Sequence, residues 1–373
     1  MSSAIVFYII IGYPILLAFL SKRPAKPVAK SLDYQPAVSV LLAVYNGERF
    51  IQAKLESLLA SRYPLGRVEI LVVSDGSTDA TDSIVRSFAG RGVRLLRVPR
   101  GGKAAALNAA LQYASGEILF FTDVRQILDP LAISHLVANF ADPGVGVATG
   151  FLRMMNPGRV GEQADLELYW RYESWARRCH SRIDSTLVTT GCLYAMRRCL
   201  AEPIRADTLT DDALIPLRVL LRGFRVIYDP AALAYDYPTA EGGEFRRRMR
   251  TLAGLWQVHV RLPQLFTRAN RMRFHFLSHK SARLVLPWGV LLVWAATLAL
   301  PPSPFQRFLL IDEVILVALA ALDRFVPRGF VLKRISSPAR TFLAMNAAAI
   351  LAIGVLFGRA DAGWRPTEVK VRP

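Results

Sequence analysis

Few residues of the sequence could form a disulfide framework or a structural metal site. The 373 residues include three cysteines, Cys179, Cys192 and Cys199, and five histidines. The cysteines are odd in number and lack C-x-x-C spacing, which fits a reducing compartment such as the cytoplasm. The histidines are scattered along the chain. The sequence therefore argues against a disulfide-stabilised secreted domain and against a zinc site.

Two common nucleotide-binding signatures are also missing. The segment VVSDGSTDAT (72–81) follows an apolar run, as a phosphate-binding loop would. It contains neither G-x-G-x-x-G nor the lysine pattern of a P-loop. It therefore supports neither a dinucleotide-binding fold nor an NTPase.

Acidic residues are few compared with basic ones. The chain has 47 Lys and Arg against 29 Asp and Glu, a formal net charge of +18 at pH 7. Such a balance suits either an anionic membrane surface or a nucleic acid. The basic residues gather beside hydrophobic stretches, as in 244–250, 268–283 and 323–334, and no nucleic-acid motif accompanies them. We therefore predict a membrane, and no nucleic acid, as the partner.

Hydrophobic residues make up 53% of the chain and are concentrated in four long stretches. Each stretch is close to the roughly 20 residues that cross a bilayer. The stretches are residues 4–20, 284–300, 308–322 and 341–357. The third contains Asp312 and Glu313 and fits a buried helix of a soluble domain equally well, so we expect two or three C-terminal spans.

The first stretch is predicted to be a transmembrane helix and not a signal peptide. No basic residues precede it and no small-residue cleavage site follows it. Lys22, Arg23, Lys26 and Lys30 come directly after it. The positive-inside rule then puts residue 22 onward in the cytoplasm.

The next part of the chain alternates short apolar runs with helical patterns. The runs are 37–44, 68–73, 93–98 and 117–122, with helical segments around 48–60, 78–89 and 103–114. Runs that are apolar on both faces are typical of a parallel sheet covered by helices. Further on we predict helices at 161–178 and 211–223 and strands within 186–198 and 224–230.

Polar loops follow three of these runs, namely 45–48, 74–79 and 123–125. In open α/β sheets the ligand binds outside the carboxyl ends of the strands. Taken singly, each loop also has a structural explanation, such as helix capping after Asp75 or a helix entry at Lys103. The adjacent Asp211 and Asp212 begin a predicted helix, where the helix dipole explains one carboxylate better than two.

In their order, the segments resemble membrane-bound family 2 glycosyltransferases of processive type. This group includes cellulose, hyaluronan and poly-N-acetylglucosamine synthases and bacterial exopolysaccharide enzymes. The resemblance runs from about residue 37 to residue 283 and rests on seven segments. They are VSVLLAVYNGE (38–48), VEILVVSDGSTDAT (68–81), GGKAAALNAAL (101–111), GEILFFTDVRQILDP (116–130), TTGCLYAMRR (189–198), TLTDDALIPLRVLLRGFRVIYDP (208–230) and EFRRRMRTLAG (244–254).

The resemblance implies a fold, a domain order and a location. The fold is α/β: a GT-A nucleotide-sugar-binding domain with a mixed, mostly parallel sheet, flanked by N-terminal and C-terminal transmembrane helices. The location is the bacterial inner membrane, with the catalytic domain in the cytoplasm. We expect a transmembrane helix at 1–21, a linker at 22–36, the GT-A domain at 37–243, basic amphipathic interface helices at 244–283, a transmembrane region at 284–358 and a tail at 359–373.

The resemblance also implies roles for single positions. Asp212 aligns with the catalytic base and Asp211 with the glutamate usually written before it. Asp123 matches the first carboxylate of the D-x-D motif, which binds the divalent cation, Mg or Mn, that bridges the donor's diphosphate. The implied donor-binding residues are Tyr45, Asn46, Glu48, Asp75, Lys103, Asp123 and Arg125. Those implied on the acceptor and diphosphate side are Gly191, Cys192, Tyr194, Arg247 and Arg250.

Two motifs depart from the family pattern. The third D-x-D position is Arg125, and we predict that its guanidinium lies near the donor diphosphate and replaces part of the cation binding. The Q-x-x-R-W motif reads Arg247-x-x-Arg250-Thr251, which leaves open whether sugar addition is processive or single.

The function implied is an inverting glycosyltransferase of exopolysaccharide or cell-surface polysaccharide synthesis. It would move a sugar from a nucleotide-sugar donor, a UDP-sugar by resemblance, to a glycan or lipid-linked acceptor. The two departures favour one alternative, a catalytically weak nucleotide-sugar-binding relative that acts in a polysaccharide assembly complex.

Overall fold

The structure is a computed structural model that describes residues 2–64, 66–155, 162–237, 243–327 and 330–356. Its centre is an eight-stranded sheet of order β3-β2-β1-β4-β7-β6-β8-β5. The strands are β1 Val38–Val44, β2 Val68–Asp75, β3 Val93–Val98, β4 Ile118–Thr122, β5 Ile127–Leu128, β6 Val145–Met154, β7 Tyr194–Arg197 and β8 Arg225–Asp236. The predicted tail 359–373 lies outside the described residues.

The first half of the sheet is parallel. Strand β1 pairs in parallel with both β2 and β4, and β3 extends the sheet beyond β2. Every residue of β4 is buried, because helices cover both faces of the sheet. The four strands predicted from apolar runs are confirmed.

The second half of the sheet is mixed. Strand β7 is antiparallel to both β4 and β6, whereas β8 is parallel to β6 and antiparallel to the short β5. The strand predicted within 186–198 is limited to its end, and the sequence did not predict β5 or β6. The predicted mixed, mostly parallel α/β sheet is confirmed.

Eight helices accompany the sheet among the described residues. They are α3 Glu48–Leu59, α4 Thr81–Ser87, α5 Lys103–Tyr113, α6 Ala132–Ala138, α7 Glu162–Ile183, α8 Asp211–Leu221, α9 Gly243–Arg261 and α10 Arg273–His275. Two earlier helices, α1 Ser2–Phe7 and α2 Tyr13–Leu20, belong to the N-terminal segment. Two apolar cores form, one on each face of the sheet. The core that includes α5 and α8 positions the candidate catalytic residues.

The long apolar stretches are helical. A π-helical turn joins α1 to α2, and another, Phe276–Ser281, joins α10 to α11 Ala282–Ala299. Two further helices follow, α12 Pro304–Leu322 and α13 Lys333–Ala352. Within the described residues, two helical segments have the length and composition needed to cross a membrane, Ser3–Leu20 and Arg273–Ala299.

The N-terminal and C-terminal helices pack against the same side of the sheet domain. Helix α2 contacts α7, and α13 contacts both α7 and α9. Helix α7 therefore packs against α2, α13 and β8, and α9 packs against α13 and α8.

Candidate functional site

The loops after β1 and β2 bind each other at the carboxyl edge of the sheet. Asn46 has a left-handed backbone, with a φ of 47°. Its side-chain Oδ1 accepts a hydrogen bond from the Thr78 backbone N–H at 2.9 Å, and its own N–H donates to Ser77 Oγ at 3.1 Å. The next N–H, of Gly47, donates to Thr81 Oγ1 at 2.8 Å. The two loops thus form one rigid rim, as the position of the polar segments predicted.

Glu48 and Tyr45 make further contacts at this rim. Glu48 Oε2 accepts from the backbone N–H of Ala80 at 3.0 Å, so its carboxylate supports the start of α4. The Arg100 guanidinium lies 3.8 Å from the centre of the Tyr45 ring. Sequence reasoning missed Arg100, although it directly precedes the Gly101-Gly102 pair that was noted. Tyr45 and Arg100 offer flat surfaces of the kind that stack on a nucleobase.

Asp75 holds the glycine turn that precedes α5. Its carboxylate pairs with Arg100 and accepts hydrogen bonds from the backbone N–H groups of Gly101 at 2.7 Å and Gly102 at 2.9 Å. Gly76 has a φ of 68°, and a Cβ on it would lie 3.0 Å from the Arg100 backbone N. Asp75 therefore positions the turn that carries Lys103, and its predicted role in donor binding stays a prediction.

The ammonium of Lys103 joins two of the predicted carboxylates. Its Nζ lies 2.9 Å from Asp123 Oδ1 and 3.2 Å from Asp211 Oδ1. Burial alone would lower the pKa of Lys103, but the negative charges of Asp123 and Asp211 outweigh it and raise the pKa. Lys103 therefore stays charged, and a carboxylate that follows β4 and another that begins α8 meet at this cation on the first residue of α5.

Asp212 is next to this cluster, on the first turn of α8. Burial raises its pKa to about 6, and the Asp211 carboxylate adds to the rise while the Lys103 charge opposes it. Its backbone carbonyl accepts hydrogen bonds from both the N–H and the hydroxyl of Thr189, each at 2.9 Å. A Cβ on Gly191 would lie 3.0 Å from Asp212 Oδ2. A half-buried carboxylate of this pKa is suited to general-base catalysis near neutral pH.

Tyr194 and Cys192 support the cluster from β7 and the turn before it. The Tyr194 hydroxyl donates to Asp211 Oδ2 at 3.1 Å, and its ring stacks on Phe121 with centroids 4.5 Å apart. The backbone carbonyl of Cys192 accepts a hydrogen bond from Thr122 Oγ1 at 2.9 Å. Both side chains are buried, so they position their neighbours.

A buried lysine that sequence reasoning missed holds the loop after β4 from below. Lys54 has no exposed surface, and its Nζ donates to Thr122 Oγ1 at 2.6 Å and to the Gln126 backbone carbonyl at 2.7 Å. Burial lowers its pKa to about 7. Asp123 and Arg125 lie on the loop between these two contacts. The helical periodicity around 48–60 could have placed Lys54 on the buried face of α3.

Arg125 faces away from the Lys103 cluster. Its Nη2 donates to Asp236 Oδ2 at 2.5 Å, at the end of β8. Among the described ion pairs Lys103, and not Arg125, is the partner of Asp123. The predicted closeness of Arg125 to a donor diphosphate stays a prediction.

Arg247 and Arg250 lie one turn apart on α9. The Arg247 guanidinium is 5.5 Å from the centre of the Trp170 ring, on α7. Thr251, at the position where the family motif has tryptophan, is exposed and donates its hydroxyl to the Arg247 carbonyl at 3.0 Å. The aromatic ring beside Arg247 therefore comes from another helix.

Asp123 could hold a divalent cation together with a donor. Its side chain is 38% exposed at the open edge of the sheet. No three His, Cys, Asp or Glu side chains converge as a metal site in the parts of the chain that the structure describes. Mg²⁺ is commonly held by only one or two carboxylates together with substrate phosphates. The site thus fits a cation that arrives with the donor's phosphates and shares Asp123 with Lys103.

Comparisons with known proteins agree with this geometry. The family model for glycosyl transferase family 2 matches residues 39–203. This range contains the strands and loops that carry Tyr45, Asp75, Lys103 and Asp123. Residues 39–203 therefore form a family 2 glycosyltransferase domain.

Relatives of this glycosyltransferase include polysaccharide synthases. The chain is 26% identical over 262 residues to the poly-beta-1,6-N-acetyl-D-glucosamine synthase of Staphylococcus aureus, covering 68% of this chain and 62% of the relative. It is also 26% identical to the synthase of the same description from Staphylococcus epidermidis, covering 69% of this chain and 67% of the relative. The chain thus spans less than two thirds of the length of the Staphylococcus aureus relative.

A solved structure resembles the glycosyltransferase over nearly its whole length. It is a mannosyltransferase from Pyrobaculum calidifontis in complex with GDP-Man and Mn²⁺, with a TM-score of 0.75 and 26% identity. The match covers 96% of this chain and 99% of the other. The predicted GT-A fold is confirmed.

Proposed function

We propose that the protein is an inverting glycosyltransferase that moves a sugar from a nucleoside-diphosphate donor to a hydroxyl group of an acceptor. The observation that carries this proposal is the position of Asp212, a half-buried carboxylate with a pKa near 6 beside the Lys103 cluster. A base for the acceptor hydroxyl and a cation for the leaving diphosphate therefore lie side by side.

Asp212 acts as the base in this mechanism. It takes the proton of the acceptor hydroxyl, and the oxygen forms a bond to the anomeric carbon as the bond from that carbon to the diphosphate oxygen breaks. General-base catalysis of this kind typically contributes about 10²- to 10⁴-fold. Thr189 and Gly191 fix where the carboxylate can lie. The attack comes from the face opposite the leaving group, so the anomeric configuration inverts.

The diphosphate leaves with its negative charge, and Lys103 is the nearest cation. Positive charge placed in advance at the leaving group lowers the barrier. A divalent cation held by Asp123 and the phosphate oxygens would add to this charge. Asp211 and Tyr194 keep Lys103 in place through the contacts at 3.2 Å and 3.1 Å.

The donor is a nucleotide sugar in this proposal. The rim formed by Tyr45, Asn46 and Arg100 is suited to a nucleoside, and the glycine turn beside Lys103 is suited to phosphates. The similar mannosyltransferase is described with GDP-Man, and the similar synthases are named for N-acetylglucosamine polymers. We therefore propose UDP-GlcNAc and GDP-Man as the first donors to test, with UDP-sugars favoured by the sequence resemblance.

The reaction takes place at a membrane in this proposal, with a glycan or lipid-linked acceptor for cell-surface polysaccharide. Helix α12 has no buried residue, and Phe305, Phe308 and Val314 are each more than 60% exposed. A large exposed apolar surface is rare on soluble monomers. It lies beside α11, which belongs to one of the two helices long and apolar enough to span.

The test is release of nucleoside diphosphate by the purified full chain in detergent. Candidate donors are supplied to the wild type, to Asp212→Asn and to a matched control, Asp33→Asn, whose side chain is exposed in the segment before β1. We expect Asp212→Asn to lose about 10²-fold or more of the activity and Asp33→Asn to keep it. Equal release by wild type and Asp212→Asn would overturn the mechanism and favour a nucleotide-sugar-binding component of an assembly complex.

A further inference from the structure

The proposed chemistry does not use a pocket that includes Arg125, two residues after Asp123. It is formed by the ends of β6 and β8, the loop after β4, and the helices α7 and α9. Its walls include Arg125, Leu152, Met154, Trp170, Asp236 and Arg247. Two arginines and one tryptophan therefore face a common space.

Arg125 has hydrogen-bonding capacity left in this pocket. Its side chain is 15% exposed, and its Nε and Nη1 are buried without a partner among the described residues. Its Nη2 is bound by Asp236, which also accepts from Gln126 Nε2 at 2.9 Å and from the Tyr237 N–H at 2.8 Å. A buried N–H without a partner costs free energy. Each of these two N–H groups can donate a hydrogen bond to an oxygen of an anion, because hydrogen bonds between charged groups are stronger than neutral ones.

The charge of the pocket also favours an anion. The ring of Trp170 has the Arg247 guanidinium 5.5 Å from its centre and the Arg177 guanidinium 6.0 Å from it. Asp236 is the one acidic residue among the pocket's described walls, against Arg125 and Arg247. Guanidinium groups therefore lie beside an aromatic surface in this pocket.

The pocket is connected to the base through α7. The Arg177 Nη1 donates to Thr190 Oγ1 at 2.6 Å, and Thr190 precedes Gly191, which packs against Asp212. The positive charge of Arg177 also acts on the Asp212 carboxylate. Arg177 therefore links the Trp170 wall of the pocket to the segment that packs against Asp212.

The two helices that line this pocket also contact helices of the N-terminal and C-terminal segments. Trp170 belongs to α7, which packs against α2, and Arg247 belongs to α9, which packs against α13. Leu152 and Met154 add apolar surface to its wall. An anion that reaches this position from a bilayer would be a lipid headgroup.

We propose that this pocket binds the phosphate of a lipid-linked acceptor whose headgroup also has a free sugar or polyol hydroxyl. Arg125 and Arg247 bind the phosphate oxygens, Trp170 packs against the headgroup, and the hydroxyl lies at Asp212. This proposal rests on the transferase function and specifies the chemistry of the acceptor.

The test compares two synthetic lipids that differ in one linkage. Both have the same alkyl chains and a terminal glucose, joined by a phosphodiester in one and by a neutral ether in the other. The full chain is placed in nanodiscs of phosphatidylcholine, and the affinity for each lipid is measured without donor. We expect the wild type to bind the phosphodiester lipid at least about tenfold more tightly, in line with hydrogen bonds between charged groups.

Three variants show whether the pocket causes this preference. Arg247→Gln and Arg125→Gln should each bring the affinity ratio of the two lipids close to one. Arg125→Lys, which keeps a cation next to Asp236 but loses the planar fork, should retain part of the ratio. The control is Arg198→Gln, which removes a positive charge from an exposed position directly after β7. This variant should keep the wild-type ratio.

Other outcomes are distinguishable. A wild-type ratio of one, or a ratio that neither Arg125→Gln nor Arg247→Gln changes, overturns the proposal. If a soluble glucuronic acid oligosaccharide binds in an Arg125-dependent and Arg247-dependent manner while the phosphodiester lipid does not, the site binds an acidic glycan and the lipid proposal is wrong. Failure of nucleoside diphosphate release with every donor would refute the transferase function, whereas the affinity ratio would still test this pocket.

Discussion

The pH dependence of the reaction tests the role of Asp212 most directly. The base must be deprotonated to accept the proton, so kcat/KM should fall as the pH drops through the pKa of Asp212 in the free enzyme. That pKa is about 6, because burial and the Asp211 charge raise it from 3.8. We expect an acidic limb with its midpoint near this value.

Lys103 is the group to change, since its charge holds that pKa down. In Lys103→Met the ammonium between Asp123 and Asp211 is replaced by an apolar side chain of similar length. A unit charge about 4 Å away contributes about 4 kcal/mol at an effective dielectric constant of about 20, and a more distant charge contributes less. Solvent around the partly exposed cluster reduces this, and a shift of about one pKa unit corresponds to about 1.4 kcal/mol. The midpoint of the acidic limb should therefore rise by about one unit.

The assay is the initial rate of nucleoside diphosphate release at low donor concentration, measured from pH 5 to pH 9 for wild type and Lys103→Met. The variant should also have a lower rate on the plateau, because the leaving diphosphate has lost its nearest cation. A limb whose midpoint stays in place in Lys103→Met, while the plateau falls, would mean that Asp212 is not the titrating base. If kcat/KM of the wild type did not fall at acidic pH, the assignment of Asp212 as the base would be refuted.

Three more predictions concern the surroundings of this cluster. In Gly191→Ala the new Cβ would lie 3.0 Å from Asp212 Oδ2, so kcat should fall about tenfold or more with little change in donor KM. The control Gly90→Ala, which has open space around its Cβ, should keep the wild-type kcat. Equal kcat values in the two variants would contradict the packing argument. Lys54 has a pKa of about 7 in the folded state, against an ordinary value of 10.5. The free energy of unfolding, measured by chemical denaturation, should therefore rise in wild type relative to Lys54→Met as the pH increases from about 7 towards 10.5. A difference between the two proteins that stays constant with pH would argue against a lowered pKa of Lys54. A chelator should lower the rate, and Asp123→Asn should need more Mn²⁺ than wild type for half-maximal recovery; identical Mn²⁺ titrations would remove Asp123 from the metal site.

The parallel part of the fold could be predicted from the sequence because β1 and β4 are buried on both faces, which leaves a continuous apolar run. Strand β6 could not be predicted in the same way, although eight of its ten residues are hydrophobic or glycine. Its partners are β7 and β8, more than 40 residues further along the chain, and the pairing depends on tertiary contacts that no local pattern records.

For the site, the order of the motifs led to Asp123, Lys103, Asp211 and Asp212, and the structure brings these four residues together because each follows a strand or begins a helix at the same edge. Their catalytic and binding roles stay predictions. The partners of these residues were not predictable. The local sequence pattern places Arg125 in the loop after β4. The orientation of its guanidinium, however, is set by a hydrogen bond to Asp236, a residue 111 positions later. Long-range pairs of this kind decide which way a side chain faces.

The position of Arg125 changes how the departure from the D-x-D motif is understood. With Asp236 holding its guanidinium, Arg125 belongs to the wall shared with Trp170 and Arg247, whereas Asp123 keeps Lys103 as its counter-ion. A single loop therefore has one side chain on the catalytic cluster and another, two residues later, on the neighbouring pocket. Lys54 holds this loop from below at Thr122 and Gln126, so a change at Lys54 would disturb both sites together, whereas changes at Arg247 would affect the pocket alone.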